Sequence, residues 1–113
     1  MSEQKMFFED EPRYVTRGIQ ERLPVLYQIL LWSAVDGLRN SGQQMDDLQV
    51  FRLQTKDNPD RKGKFLLIMH SQEEPPYNME YAIPIRTDAE EVNGKVYIID
   101  DSEHAVMMWA EEY

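Results

Sequence analysis

Two rhythms of apolar and polar positions run along the chain, and the places where they change predict the elements. Residues 1–12 are polar apart from Met6, Phe7 and Phe8, which predicts an acidic N-terminal segment, partly ordered, with one apolar anchor. Arg13 to Arg17 alternates and is rich in β-formers, so a short strand is expected, closed by Gly18. Pro24 suits the first turn of a helix, where its missing N–H costs nothing, and the helix should run from about 24 to 39. Leu23, Leu26, Tyr27, Leu30, Leu31, Ala34, Val35 and Leu38 follow the three-four spacing of a core-facing stripe. Val25, Ile29 and Trp32 fall on the opposite side, where a surface helix ordinarily carries charge.

Beyond Gly42 the period changes to two. Leu48–Thr55 and Lys64–Gln72 read as strands joined by a hairpin through Asp57-Asn58-Pro59-Asp60 and Gly63. In the second run both alternating sets begin apolar, Phe65, Leu67 and Met69 on one side and Leu66 and Ile68 on the other, which predicts a central strand covered on both faces. Glu80–Arg86 looks extended, with Pro84 confining it to an edge or bulge. Lys95–Asp100 follows the hairpin signal Asn93-Gly94, and Asp100 with Glu103 has the spacing of a capping box. Val106, Trp109, Ala110 and Tyr113 then make the stripe of a short closing helix. Consecutive strands with tight turns favour antiparallel pairing. The predicted fold class is therefore α+β, a long helix packed on a mostly antiparallel sheet of four or five strands with a short C-terminal helix, in a single domain over residues 13–113.

Composition changes this picture in two respects. The 113 residues contain no cysteine, which excludes disulfides, thiolate metal sites and a cysteine nucleophile, and favours a cytoplasmic setting. The apolar run near residues 25–35 is far short of a membrane span, and the acidic start has no signal layout. The formal charge of -9 sits at the two ends, with eight acids against Lys95 over residues 88–113, while the middle is close to neutral. General affinity for nucleic acid or an anionic membrane is not expected, because binding polyanions needs clustered Lys and Arg. The basic cluster Lys56, Arg61, Lys62 and Lys64 is diluted by Asp57 and Asp60 and reads as a solvated hairpin tip.

Candidate chemistry is sparse. His70 and His104 are the two histidines. His70 and Glu73 are the candidates for a catalytic pair, but alternation puts His70 with Gln72 and turns Glu73 away, so a structural or partner-facing histidine is the expected reading. His104 lies beside Asp100, Asp101 and Glu103, a set able to hold a divalent cation but also the usual composition of a helix start. No metal or cofactor is expected. There is no Gly-rich phosphate loop, GxSxG, HExxH or EF-hand spacing.

Several segments taken together resemble a known family. Arg13-Tyr-Val-Thr-Arg-Gly-Ile19, Leu23-Pro24, Leu31-Trp32, Leu48-Gln-Val-Phe51, and His70-Ser-Gln-Glu73 with Pro75 or Pro76 and Tyr77 resemble an uncharacterised family of Gram-positive bacteria and their phages, domain of unknown function 960. The resemblance spans residues 13–77. It implies a bacterial or phage cytosolic protein and supplies no activity or catalytic residue.

The leading functional reading is a non-enzymatic protein-interaction module that binds a protein partner or a second copy of itself through Val25, Ile29 and Trp32. Its alternatives are a small hydrolase built on His70, Gln72 and Glu73 near Arg13 or Arg17, and an acidic inhibitor that mimics nucleic acid.

Overall fold

The computed structural model describes residues 7–60 and 63–113. Met6 of the apolar anchor, and Arg61 and Lys62 of the basic cluster, lie outside them. The elements in chain order are β1 (Arg13–Val15), α1 (Arg17–Arg22), α2 (Val25–Asn40), β2 (Leu48–Asp57), β3 (Lys64–Gln72), β4 (Tyr77–Ile85), β5 (Asn93–Asp100), β6 (Ala105–Trp109) and a closing 3-10 turn (Ala110–Glu112). The six strands form one sheet in the order β1-β6-β5-β2-β3-β4. Every pairing is antiparallel except β1 with β6, which is parallel.

The protein is thus mostly sheet, and the predicted fold class is corrected. Six strands stand in one mixed sheet where four or five mostly antiparallel ones were expected, and the short C-terminal helix does not form. Residues 105–109 are instead an inner strand between β1 and β5. The acids before it build a turn, not a helix start: Asp101 Oδ1 accepts from the backbone N–H groups of Glu103 and His104, both at 2.9 Å. Ser102 takes the left-handed conformation at φ 74°. Ala105, Met107 and Trp109 then alternate inward at period two.

The N-terminal strand is shorter than its β-forming residues suggest, because Thr16 caps a helix. Its hydroxyl accepts from Ile19 N–H at 3.2 Å, and the chain turns into α1 through Gly18. The Asn93-Gly94 pair does not make a hairpin, since β4 and β5 stand at separate places in the sheet. Gly94 serves close packing: a Cβ there would come within 2.9 Å of the Trp109 ring.

One face of the sheet carries the core. Ile19, Leu23, Tyr27, Leu31, Val35 and Leu38 of the helical layer, with Phe7, are buried in one cluster with Phe51, Leu53, Leu66, Ile68, Val96, Ile98 and Met107. Burying each large side chain contributes about 1.5–3 kcal/mol, so this face dominates stability. Tyr27, Leu31, Val35 and Leu38 share one side of α2 at three-four spacing; Leu26, assigned to that side from the sequence, projects to solvent.

The other face has no helix over it among the described residues, so β3 is not doubly covered. Cross-strand partners nevertheless place apolar side chains there in two adjoining rows, Tyr14–Val106–Ile99–Leu48 and Met108–Tyr97–Val50. The row beyond them pairs Lys95 with Arg52. No helix of the described residues is long and apolar enough to cross a membrane.

Candidate functional site

The outward side of α2 presents its largest apolar groups on its first two turns. Val25 is 67% exposed, Leu26 60% and Ile29 54%. Each has its neighbours on the core side fixed by the buried stripe, so the helix cannot roll to hide them without exposing Leu31 and Val35. Leu26 borders a shallow depression that it lines with Tyr27, Pro84, Ile85, Arg86 and Ala89. Trp32 is half-buried and placed differently. The Arg13 guanidinium sits 4.8 Å from its ring centroid and also pairs with Asp36, which Arg39 holds from the other side at 3.2 Å. The uncovered patch is therefore Val25, Leu26 and Ile29, with Trp32 as its shoulder toward β1.

His70 lies on the core face of β3 and is buried. Its ring stacks on Phe51 at 4.3 Å between centroids and meets the edge of Tyr77 at 5.4 Å. Its Nε2 is 2.7 Å from Gln49 Oε1. The amide of Gln49 donates to Gln72 Oε1 at 2.7 Å and to the Asp46 carbonyl at 2.8 Å, so Gln49 Oε1 is the acceptor and His70 carries its proton on Nε2. Gln72 Nε2 then donates to the carbonyls of Gln44 and Pro75. This chain of amides ties the loop after α2 to the end of β3. Burial pushes the His70 pKa down to about 4, and its Nδ1 has no hydrogen-bond partner among the described residues.

His70 and Gln72 are brought together through Gln49, whereas Glu73 is exposed beyond the end of the strand. Gln49 escaped the sequence reading, although its alternation with Phe51 and Leu53 marks it as core-facing. Arg13 is engaged with Asp36 and Trp32, and Arg17 with Glu21 at 2.8 Å. His104 Nδ1 lies 3.2 Å from Asp101 Oδ2 and its ring meets Tyr14 edge-on. No group of three or more metal-ligating side chains forms among the described residues.

A second buried polar site had no signal in the sequence. Glu11 and Asp100 are only 6% and 2% exposed. Asp100 Oδ1 accepts from Ser102 N–H at 2.6 Å, and its Oδ2 accepts from Phe7 N–H. Neither oxygen of Glu11 meets an N–H or hydroxyl donor among the described residues. Burial, and then the neighbouring Asp100 carboxyl, push the Glu11 pKa up to about 7, so a proton held between the two carboxyls satisfies the pair. The arrangement fastens residues 7–12 to the turn between β5 and β6.

Comparison with known proteins places this geometry. A crystal structure of a protein of unknown function from Enterococcus faecalis shares the fold, with a TM-score of 0.74 at 22% identity, covering 100% of this chain and 98% of that one. No curated protein matches. The family model described as a staphylococcal protein of unknown function, DUF960, matches residues 12–112, so the β5–β6 region lies within the family's pattern along with residues 13–77. The chain, matched over nearly its whole length, belongs to the DUF960 family.

Proposed function

We propose that this protein is a non-enzymatic interaction module of the bacterial cytoplasm that grips a protein partner with the outward face of α2. One observation carries the reading: Val25, Leu26 and Ile29 are each more than half exposed on two successive turns of a helix whose opposite side is locked into the core. Single exposed apolar side chains are ordinary on a protein surface, whereas three contiguous ones beside an apolar depression suit an interface anchor. Trp32 supports this reading from the shoulder of the patch, since a ring backed by a guanidinium is held in place for contact. The cysteine-free chain suits a reducing compartment.

The test is capture from a Gram-positive lysate on the immobilised full chain at 0.1 M and 1 M salt. Apolar burial is insensitive to screening, so the same partner should be retained at both, whereas a purely charge-driven contact falls away at high salt. Retention only at low salt would overturn the assignment to α2.

A further inference from the structure

The solvent-facing side of the sheet departs from what a two-layer fold predicts. Antiparallel sheets with one covered face alternate apolar inward and polar outward. Here the outward face carries the two apolar rows described above, centred on Ile99, Tyr97 and Val50, with Tyr14 56% exposed at their margin. Immediately beyond the block on one side stand Arg52 and Lys95, opposite one another on β2 and β5. Neither side chain makes an ion pair or hydrogen bond among the described residues, although the chain as a whole carries -9. Beyond the block on the other side, the same two strands are flanked by acids: Asp46 and Asp47 lead into β2, and Asp101 follows β5.

We propose that this face is covered by a second copy of the chain, related by a two-fold axis that runs across the strands between the two apolar rows. Such an axis crosses β2 at Gln49 and β5 at Ile98, and it lays each strand antiparallel over its own counterpart. The rows exchange places, so Leu48 and Ile99 of one copy meet Val50 and Tyr97 of the other. Three residues to one side of Gln49 is Arg52 and three to the other is Asp46; three to either side of Ile98 are Lys95 and Asp101. The same operation that buries the apolar block therefore sets both unpaired cations against the second copy's acids, on the same two strands. Asp46 and Asp101 are fixed for the part, because their carboxylates accept from backbone N–H groups, Asp46 from Glu74 at 3.1 Å and Asp101 from Glu103 and His104 at 2.9 Å. A two-fold interface needs one patch to be complementary to itself, and this register meets that condition in shape and in charge. Two sheets packed in this way sit about 10 Å apart with strands crossed by about 30°. The surface is separate from the α2 face, so this inference goes beyond the proposed function and neither depends on it nor obstructs it.

The experiment is the mass of the full chain in solution by light scattering and sedimentation across a concentration series. The wild type should give about twice 13.4 kDa at high concentration. Val50→Glu should give the single-chain mass with a cooperative melt. Because Val50 is half-buried, a second variant, Arg52→Glu with Lys95→Glu, changes only side chains that hold nothing in the monomer. It should weaken self-association at least tenfold in 0.1 M salt, with the difference shrinking in 1 M salt. A wild type that stays at 13.4 kDa at every concentration overturns the proposal. So does a dimer that survives both variants, or one that is lost when Val25 and Ile29 are changed to serine, which would put the contact on α2.

Discussion

His70 and Glu11 show how one residue's surroundings set its chemistry. In the unfolded chain His70 titrates near 6.5, but the fold buries it against Phe51 and depresses it to about 4. Between those values the unfolded state binds more protons, so this group's contribution to stability is lost as pH falls from 6.5 toward 4. Glu11 has the opposite sign: its ordinary value of 4.5 is raised to about 7 in the fold, so its contribution is lost as pH rises through that window. Urea unfolding of the wild type and Glu11→Gln at pH 5.5 and pH 8 separates the two. The glutamine amide can donate to Asp100 at any pH, so the variant should gain on the wild type at pH 8 by on the order of 1 kcal/mol relative to pH 5.5. Parallel behaviour at both pH values would show that Glu11 is ionised throughout. Replacing His70 with Gln should cost about 1–2 kcal/mol, through the Phe51 stack and the Gln49 bond, and should flatten the loss of stability toward acid.

At the scale of elements, legibility followed the length and purity of the hydrophobic period. The extent of α2 follows from Tyr27, Leu31, Val35 and Leu38, a repeat long enough to exclude a strand. The C-terminal segment is too short for that. Val106, Trp109 and Ala110 fit three-four spacing, but Ala105, Met107 and Trp109 fit alternation equally, and pairing with β1 and β5 decided for the strand. That contest is tertiary and invisible locally. The sixth strand is hidden for the same reason, since residues 106–113 read locally as a helix. The buried Glu11–Asp100 contact joins residues distant in the chain, and nothing near either one announces it. Trp32, placed by its spacing on the outward side with Val25 and Ile29, is partly shielded because Arg13 comes to it from a strand at the sheet margin. As an inner strand β6 should be indispensable: truncation before residue 104 should abolish the cooperative melt, and a retained transition would contradict this topology. Trp109→Ala removes a nearly buried ring that donates to the Gly18 carbonyl at 2.9 Å, and it should cost about 3–5 kcal/mol in chemical denaturation.

For the molecule as a whole, a single helical layer on one side of a six-stranded sheet accounts for stability and leaves apolar surface in two places, on α2 and on the far side of the sheet. The sites with buried polar groups are spent on holding loops: the His70–Gln49–Gln72 chain secures the loop after α2, and Glu11 with Asp100 secures residues 7–12. The surface left apolar on α2 is the one to which the proposed function assigns partner contact. Trp32→Ala should lose about 1–3 kcal/mol of stability yet keep a cooperative melt, because the ring is only half-buried. The most direct measurement compares capture of the lysate partner by the wild type and by Val25→Ser/Leu26→Ser/Ile29→Ser, at matched folding judged from their melts. Removing three exposed anchors should weaken binding by about 100-fold or more while leaving Tm within a few degrees, because exposed apolar groups contribute little to folding. Undiminished capture by the triple variant would contradict the assignment of partner binding to α2.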